Sequence, residues 1–188
     1  MRRDRWLLSD YKDLKVVYQG YVSKVFKATC IKSGLTVALK AYLNPILLPS
    51  MLRHQLMREA RMHPTLNHPN VLKMYGSFRD QDVIIMVIEW CNQGDLMNQW
   101  HYKYSMRMKE GTAASITREL LKALTYLHSR GIVHRDIKLE NILLNIDQRT
   151  GQMSVKLADF GLAIDLKEEP MAVTRVGTLE YMVSCPMD

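Results

Sequence analysis

The sequence predicts an α+β fold, with a β-rich N-terminal part that carries one helix and a mainly helical C-terminal part. Runs of β-branched and aromatic residues, separated by turn residues, fill most of the first 90 residues. A long segment with apolar residues at helical spacing, 109–130, lies in the second half. At 188 residues, of which 47% are hydrophobic and 24% charged, the chain is long enough for one domain with a substantial core.

The N-terminal part contains the segments that are typical of strands. Turns are predicted at Ser33-Gly34, between the second and third of these segments, and at 80–82, between the last two. The predicted strands are residues 15–17, 24–28, 36–40, 71–78 and 83–88. We expect these segments to make up the β-rich part of the fold.

One helix is expected between the third and fourth strands. It should begin at Met51 with Ser50 as its N-cap and end at Pro64. Four residues fall along one stripe of this helix: Leu52, Leu56, Glu59 and His63. Because an unpaired carboxylate is costly to bury, Glu59 needs a partner, and Lys40 on the third strand is the obvious one.

The C-terminal part should contain two helices and a small hairpin. Asp95, after Gly94, has the side chain of a good N-cap for the first helix. The second helix, 109–130, stops at Gly131, and its apolar face is predicted to belong to the core. That face contains Ile116, Leu120, Leu121, Leu124 and Leu127. Further along the chain, residues 142–144 and 155–157 predict the hairpin.

A dense polar segment follows the long helix. Residues 134–141 read His-Arg-Asp-Ile-Lys-Leu-Glu-Asn, and residues 159–161 read Asp-Phe-Gly. In the first segment, Asp136 provides a carboxylate, Lys138, two residues later, an ammonium group, and Asn141, five residues later, an amide. These three groups suit a site that holds a phosphate, a metal ion and a hydroxyl together. Asp159 adds a second carboxylate, and two carboxylates with an Asn can hold Mg²⁺, which prefers oxygen ligands. The competing interpretation is a capped helix end with an ordinary polar turn.

These two segments, in this order and with short strands between them, resemble the catalytic loop and the magnesium loop of the eukaryotic protein kinases. The resemblance covers residues 6–182 and implies the protein-kinase-like two-lobe fold. It places a β-rich N-lobe with one regulatory helix at about residues 6–90, a hinge at 91–93 and an incomplete helical C-lobe at 94–188.

Within the kinases, the chain is most similar to the Aurora-like group of the serine/threonine type. Lys138, two residues after Asp136, is the serine/threonine signature. The Aurora-like similarity is carried by Trp6, residues 10–11, 55–59, 68–71 and 176–179.

The resemblance implies an enzyme that transfers the γ-phosphoryl group of ATP to a Ser or Thr hydroxyl of a protein substrate. Asp136 would accept the hydroxyl proton, and Lys138 would neutralise the transferring group. Asn141 and Asp159 would hold Mg²⁺. Catalysis would come mainly from positioning and charge stabilisation.

The resemblance also assigns residues to the nucleotide. Lys40, steadied by Glu59, would bind the α- and β-phosphates, and Asp95 would face the ribose, an interpretation that stays open beside its N-cap role. The nucleotide-binding residues are Gly20, Val25, Ala38, Lys40, Glu89, Cys91, Asp95 and Leu143. The loop that covers the phosphates keeps only Gly20 of the three usual glycines, since Tyr18 and Ser23 occupy the outer positions.

Regulation is expected at the segment after the magnesium loop. Thr174 stands at the family's activation-loop position, and the resemblance implies a phosphosite there. Arg135, beside the catalytic Asp136, could pair with such a phosphate. The alternative is a solvated loop threonine without a regulatory role.

The last residues depart from the family's pattern. The Ala-Pro-Glu triplet and the large helices after it do not follow residue 182. We therefore expect a truncated kinase domain with a weak turnover and an apolar surface that favours a chaperone, a regulatory partner or a second copy. The alternative function is a weakly active or inactive kinase-fold module for nucleotide binding or interaction.

Composition argues against several other classes. The cysteines at 30, 91 and 185 have no paired spacing, which argues against a disulfide framework and suits a reducing, intracellular compartment, cytoplasmic or nuclear. The longest apolar run, 83–88, is far too short to span a membrane. The net charge is +7, but basic residues do not interleave with aromatic ones, so no nucleic-acid partner is expected.

Overall fold

The computed structural model describes residues 5–103, 105, 107–169 and 177–181. Within these ranges the chain forms two compact units. The first unit holds the described residues up to Asn67 together with Leu72–Trp90, and the second holds His68–Val71 and the described residues from Cys91 onward. Strands dominate the first unit, whereas helices and short strand pairs form the second, so the α+β prediction is confirmed.

The first unit is built on a five-stranded antiparallel sheet with the strand order β1-β2-β3-β5-β4. Its elements are β1 (Tyr11–Gln19), β2 (Ser23–Cys30), β3 (Thr36–Leu43), α1 (Ser50–Met62), β4 (Met74–Asp80) and β5 (Val83–Glu89). Side chains alternate between the two faces of a strand. On β3, Val37, Leu39 and Ala41 point into the core, whereas Lys40 and Tyr42 lie on the other face.

Two details of the first unit differ from the predictions. The N-cap prediction for Ser50 is wrong, because the Pro49 carbonyl already accepts the Arg53 amide at 3.0 Å, and Ser50 is the first residue of α1. The fourth strand begins at Met74 rather than at residue 71. Val71 instead forms an isolated parallel bridge with Leu157, both of which belong to the second unit.

The second unit combines two helices with two pairs of short antiparallel strands, β6–β9 and β7–β8. Its elements are α2 (Leu96–Tyr102), α3 (Glu110–Ser129), β6 (Ile132–Val133), β7 (Ile142–Ile146), β8 (Met153–Leu157) and β9 (Ile164–Asp165). The Asp95 carboxylate accepts the Asn98 amide at 2.8 Å, so its N-cap role is confirmed. Gly131 takes a φ of 76° just after α3, a conformation that glycine adopts without strain.

The apolar face of α3 is narrower than the sequence suggested. Ile116, Ala123 and Leu127 are buried, but Leu121 is 56% exposed, so its assignment to the core is wrong. At 100° per residue, position 121 lies roughly 140° around the helix from position 116. Ile116 packs in a core cluster with α2, β7 and β8.

A partly buried polar anchor ties β8, the strand that leads into the Asp-Phe-Gly motif, to α3. Glu119 on α3 accepts hydrogen bonds at 2.9 Å from the amide of Val155 and from the side chain of Asn70. The Asn70 side chain also donates to the Val155 carbonyl at 3.0 Å. The backbone carbonyl of Asn70 accepts the Leu157 amide at 2.8 Å. Asn70 is 6% exposed, so loss of these bonds leaves buried polar groups without partners.

Replacing Asn70 by Ala is expected to lower the free energy of unfolding by about 2–3 kcal/mol, because the half-buried carboxylate of Glu119 and the buried carbonyl of Val155 each lose a donor. Urea unfolding followed by far-ultraviolet circular dichroism measures the loss. The matched control is Asn92→Ala, since the exposed Asn92 side chain also makes two hydrogen bonds to backbone groups, both of Ile146. Equal losses in the two variants would contradict an anchor that depends on burial.

Candidate active site

The polar segment 134–141 is positioned by the short pairing of β6 with β9. This pairing holds residue 134, directly after β6, beside the residues that precede β9. His134 is 1% exposed, and its Nε2 donates to the Ala158 carbonyl at 3.0 Å. Its Nδ1 accepts the Asp136 amide at 3.3 Å, which places the ring proton on Nε2. The ring also packs edge-on against buried Phe160, with centroids 5.0 Å apart. His134 therefore clamps the two motifs together.

Asp136 lies at the centre of a cluster of four polar side chains. Its Oδ1 accepts the Thr178 hydroxyl at 2.7 Å. Its Oδ2 lies 3.0 Å from the Lys138 ammonium and 2.8 Å from the Asn141 amide nitrogen. Lys138 also donates to the Thr178 hydroxyl at 2.8 Å, so carboxylate, ammonium and hydroxyl form a closed triangle. The backbone carbonyl of Asp136 accepts a second bond from Asn141, which fixes the loop itself.

The cluster keeps Asp136 ionised. Burial has the largest single influence and acts to raise the pKa of Asp136. The hydrogen bonds from Thr178, Lys138 and Asn141, with the positive charge of Lys138, together outweigh burial and hold this pKa below that of an ordinary carboxyl group. The carboxylate is therefore a hydrogen-bond acceptor throughout the neutral pH range.

We expect Thr178→Val to shift the pH dependence of any reaction that needs ionised Asp136. Loss of the Thr178 hydroxyl removes a bond that stabilises the carboxylate, so the pKa of Asp136 rises and the acid limb of the kcat–pH profile moves to higher pH. Thr178→Ser keeps the hydroxyl and should retain the original limb. Coincident acid limbs in the Val variant and the original chain would show that Thr178 has no influence on the ionisation.

Asn141 and Asp159 carry the donor set that suits Mg²⁺. The nitrogen of the Asn141 side chain donates to Asp136, which leaves the side-chain oxygen as a ligand. The backbone carbonyl of Asn141 accepts the Ala158 amide at 2.8 Å. Asp159 has a φ of 60°, and its exposed carboxylate accepts the Gly161 amide at 3.4 Å. One amide oxygen and one carboxylate fit a cation that keeps several waters and binds phosphate oxygens. In the described ranges, no three His, Cys, Asp or Glu side chains gather into a metal cluster.

Arg135 also has an unusual backbone, with a φ of 66°. Its Nε donates to the Leu162 carbonyl at 2.8 Å, so the guanidinium links the segment 134–141 to the residues just after the Asp-Phe-Gly motif. Thr174, the residue expected to pair with Arg135 when phosphorylated, lies outside the described residues.

The first unit brings Lys40 and Glu59 together. The Lys40 ammonium lies 3.3 Å from both carboxylate oxygens of Glu59, whose side chain is 1% exposed. The Tyr42 hydroxyl donates to Glu59 Oε2 at 3.3 Å, and the Lys40 nitrogen lies 5.4 Å from the centre of the Tyr42 ring. The buried carboxylate therefore has both a cationic and a hydroxyl partner.

The remaining nucleotide-binding candidates of the first unit lie on strands or at their ends. Val25 pairs with Lys40 across β2 and β3, and Ala38 precedes Lys40 by two positions, so all three share the sheet face that points away from the core. Glu89, at the end of β5, accepts the Lys73 amide at 3.1 Å. The Gly20 amide donates to the Ser23 carbonyl at 2.9 Å, so this hairpin bond already uses the amide.

The second unit contains the candidates Cys91, Asp95 and Leu143. Cys91 is buried, with 5% exposure. Asp95 and Leu143 form an isolated antiparallel bridge, which fixes the start of α2 against β7.

Two residues of these clusters received no role from the sequence. Thr178 was noted only as part of a segment similar to the Aurora-like kinases, because a single hydroxyl 42 positions from Asp136 carries no local signal. Tyr42 was missed as well, although its position two residues after Lys40 on a strand puts both side chains on one face.

The sequence matches the protein kinase domain family over residues 11–184. The serine/threonine-protein kinase PLK4 of Drosophila virilis is 34% identical over 176 residues, which cover 93% of this chain and 22% of that protein. Aurora-1 of Arabidopsis thaliana is 35% identical over 181 residues, with 95% and 58% covered. The Aurora kinase of Schizosaccharomyces pombe is 34% identical over 168 residues, with 89% and 45% covered. The chain thus spans less than two thirds of each relative. In the described part of the chain, no helix has the length and apolar character needed to cross a membrane.

Proposed function

This chain belongs to the protein kinase domain family, and from that premise we propose that it transfers the γ-phosphoryl group of ATP to Ser or Thr hydroxyls of a protein substrate. PLK4 of Drosophila virilis and Aurora-1 of Arabidopsis thaliana are serine/threonine-protein kinases by name, which supports the class of acceptor. The observation that carries the proposal is the cluster around Asp136, an ionised carboxylate whose hydrogen bonds with the described residues occupy three acceptor positions.

The acceptor positions of Asp136 can be counted. A carboxylate offers about four acceptor positions, two on each oxygen. Lys138 and Asn141 occupy both positions on Oδ2, and Thr178 occupies one on Oδ1. The described residues leave one position on Oδ1 for a substrate hydroxyl, which would let Asp136 serve as the base.

The proposed reaction uses this position. The substrate hydroxyl donates its hydrogen bond to Asp136, and its oxygen forms a bond to the γ-phosphorus as the bond to the β–γ bridging oxygen breaks. The hydroxyl proton passes to Asp136, and ADP leaves. Lys138 donates to the transferring phosphoryl group, whose negative charge it offsets. Its ammonium already lies 3.0 Å from Asp136, so little rearrangement is required.

Two sets of side chains would bind the phosphates and their metal ion. Asn141 and Asp159 would hold Mg²⁺, which supplies positive charge to the phosphate oxygens when bound. Lys40, kept in place by Glu59, would bind the α- and β-phosphates. The engaged amide of Gly20 and the absence of the two outer glycines favour a looser hold on the phosphates than a three-glycine loop gives.

The binding part of this proposal predicts that a non-hydrolysable ATP analogue stabilises the 188-residue chain only when Mg²⁺ is present. At a hundredfold excess over the dissociation constant, bound ligand adds about 2.7 kcal/mol to the free energy of unfolding. Thermal unfolding with and without Mg²⁺ measures the effect. Asp159→Asn should lose the Mg²⁺-dependent part, whereas Asp147→Asn, in the turn between β7 and β8, should keep it. Absence of stabilisation in folded protein at millimolar analogue would refute nucleotide binding.

A further inference from the structure

Tyr42 lies in a position to act on the Lys40–Glu59 pair of the first unit. Lys40 and Tyr42 are two residues apart on β3, so both side chains project from the same face of the sheet. The Tyr42 side chain is largely buried, since the residue is 8% exposed, and its hydroxyl reaches Glu59 Oε2 at 3.3 Å. The hydroxyl and the ammonium therefore bind the same carboxylate from two neighbouring points on one strand.

The contacts restrict each group in a different way. The Lys40 ammonium lies 3.3 Å from each of the two carboxylate oxygens of Glu59. The Tyr42 hydroxyl adds a contact to Oε2 and so restrains the rotation of the carboxylate. The Tyr42 ring lies 5.4 Å from the ammonium and adds a cation–π contact on a second side.

We infer that Tyr42 is a positioning residue: its hydroxyl and ring hold Glu59 and the Lys40 ammonium in register before any nucleotide binds. The inference rests on the proposed function for its consequence, which is that Lys40 meets the phosphates already oriented. An orientation that is fixed in advance spares the ligand the cost of ordering the lysine. The positioning of the three side chains, however, can be tested without phosphotransfer.

The direct test is the acylation rate of the Lys40 amine by a soluble amine-reactive ester, without nucleotide, with labelled sites counted by mass spectrometry. We expect Tyr42→Phe to label several-fold faster at Lys40. Without the Tyr42 hydroxyl, the Glu59 carboxylate is restrained less, so the Lys40 ammonium leaves it more often and meets the reagent. Lys24, half-buried on neighbouring β2, should label at the original rate. Tyr102→Phe, at a residue that is 86% exposed, is the control that changes no rate.

A thermodynamic cycle separates positioning from a general structural role. If Tyr42 acts through Glu59, Tyr42→Phe should accelerate labelling in the original chain and cause no further change in a Glu59→Gln background. An unchanged Lys40 rate in Tyr42→Phe would overturn the inference. A parallel rise at Lys24, or an undiminished effect of Tyr42→Phe in the Glu59→Gln background, would overturn it too, because each shows loosening of the sheet instead.

The consequence for turnover is measured separately with ATP and a basic protein substrate. We expect Tyr42→Phe to raise the KM for ATP about tenfold and to change kcat less, since the lost hydrogen bond acts on a charged group. If the original chain transfers no phosphate while the labelling results hold, the proposed function fails and the positioning stands. If the original chain is active and labelling at Lys40 does not change, the positioning alone fails.

Discussion

Replacing Asp136 by Asn is expected to lower phosphotransfer by about 10²–10⁴-fold, the usual contribution of a positioned base. The amide can place its oxygen on only one side. The Oδ2 side faces two donors, Lys138 and Asn141, so the oxygen must turn there. The nitrogen then occupies the Oδ1 position, where Thr178 can rotate its hydroxyl to accept, but a substrate hydroxyl finds no acceptor.

The measurement is the initial rate of phosphate transfer from radiolabelled ATP to a basic protein substrate. Mg²⁺-dependent thermal stabilisation by the ATP analogue should be nearly unchanged in Asp136→Asn, which separates chemistry from binding. Asp147→Asn again provides a carboxylate of the same unit that lies outside the cluster. A rate in Asp136→Asn within a factor of two of the original would exclude Asp136 as the base.

Replacing Lys40 by Met is expected to reduce both stability and activity. Glu59, 1% exposed, would lose its ammonium partner, and a buried carboxylate without its cation costs about 3–5 kcal/mol. Phosphotransfer should fall by about 10²-fold or more, since misplacement of the phosphates by about 1 Å has an effect of that order. Urea unfolding and the radiolabel assay measure the two losses.

The double variant Lys40→Met with Glu59→Gln distinguishes the two effects. Removal of the carboxylate charge should restore most of the lost stability, because the buried amide can still accept from the Tyr42 hydroxyl. Activity should stay low, because the lysine is still absent. Recovery of activity together with stability would show that Lys40 serves only the fold.

The parts of the molecule that the sequence predicted correctly depend on local patterns. Alternation of apolar residues located the strands, and the Asp95 side chain marked the start of α2, because strand pairing and capping act over a few residues. The contact between Lys40 and Glu59 was also predictable, since a carboxylate on a leucine stripe needs a cation.

The parts that the sequence did not predict depend on contacts between distant segments. Val71 looks like the start of a strand, but its bridge to Leu157, 86 positions later, removes it from β4. Leu121 is apolar like the core residues, but it lies on a different side of α3 from Ile116 and is exposed. Thr178 acts on Asp136 from a segment with no local sign of that contact, because only the folded chain brings the hydroxyl to the carboxylate.

We propose that the Asp136 cluster makes this chain a serine/threonine kinase. The most direct measurement supplies ATP with an isotopically labelled γ-phosphoryl group and a mixed protein substrate, and identifies the modified residues by mass spectrometry. We expect labelled phosphoserine and phosphothreonine with the 188-residue chain and their loss with Asp136→Asn. A folded chain that binds the Mg²⁺–nucleotide complex yet labels no Ser or Thr, or labelling that persists in Asp136→Asn, would contradict it.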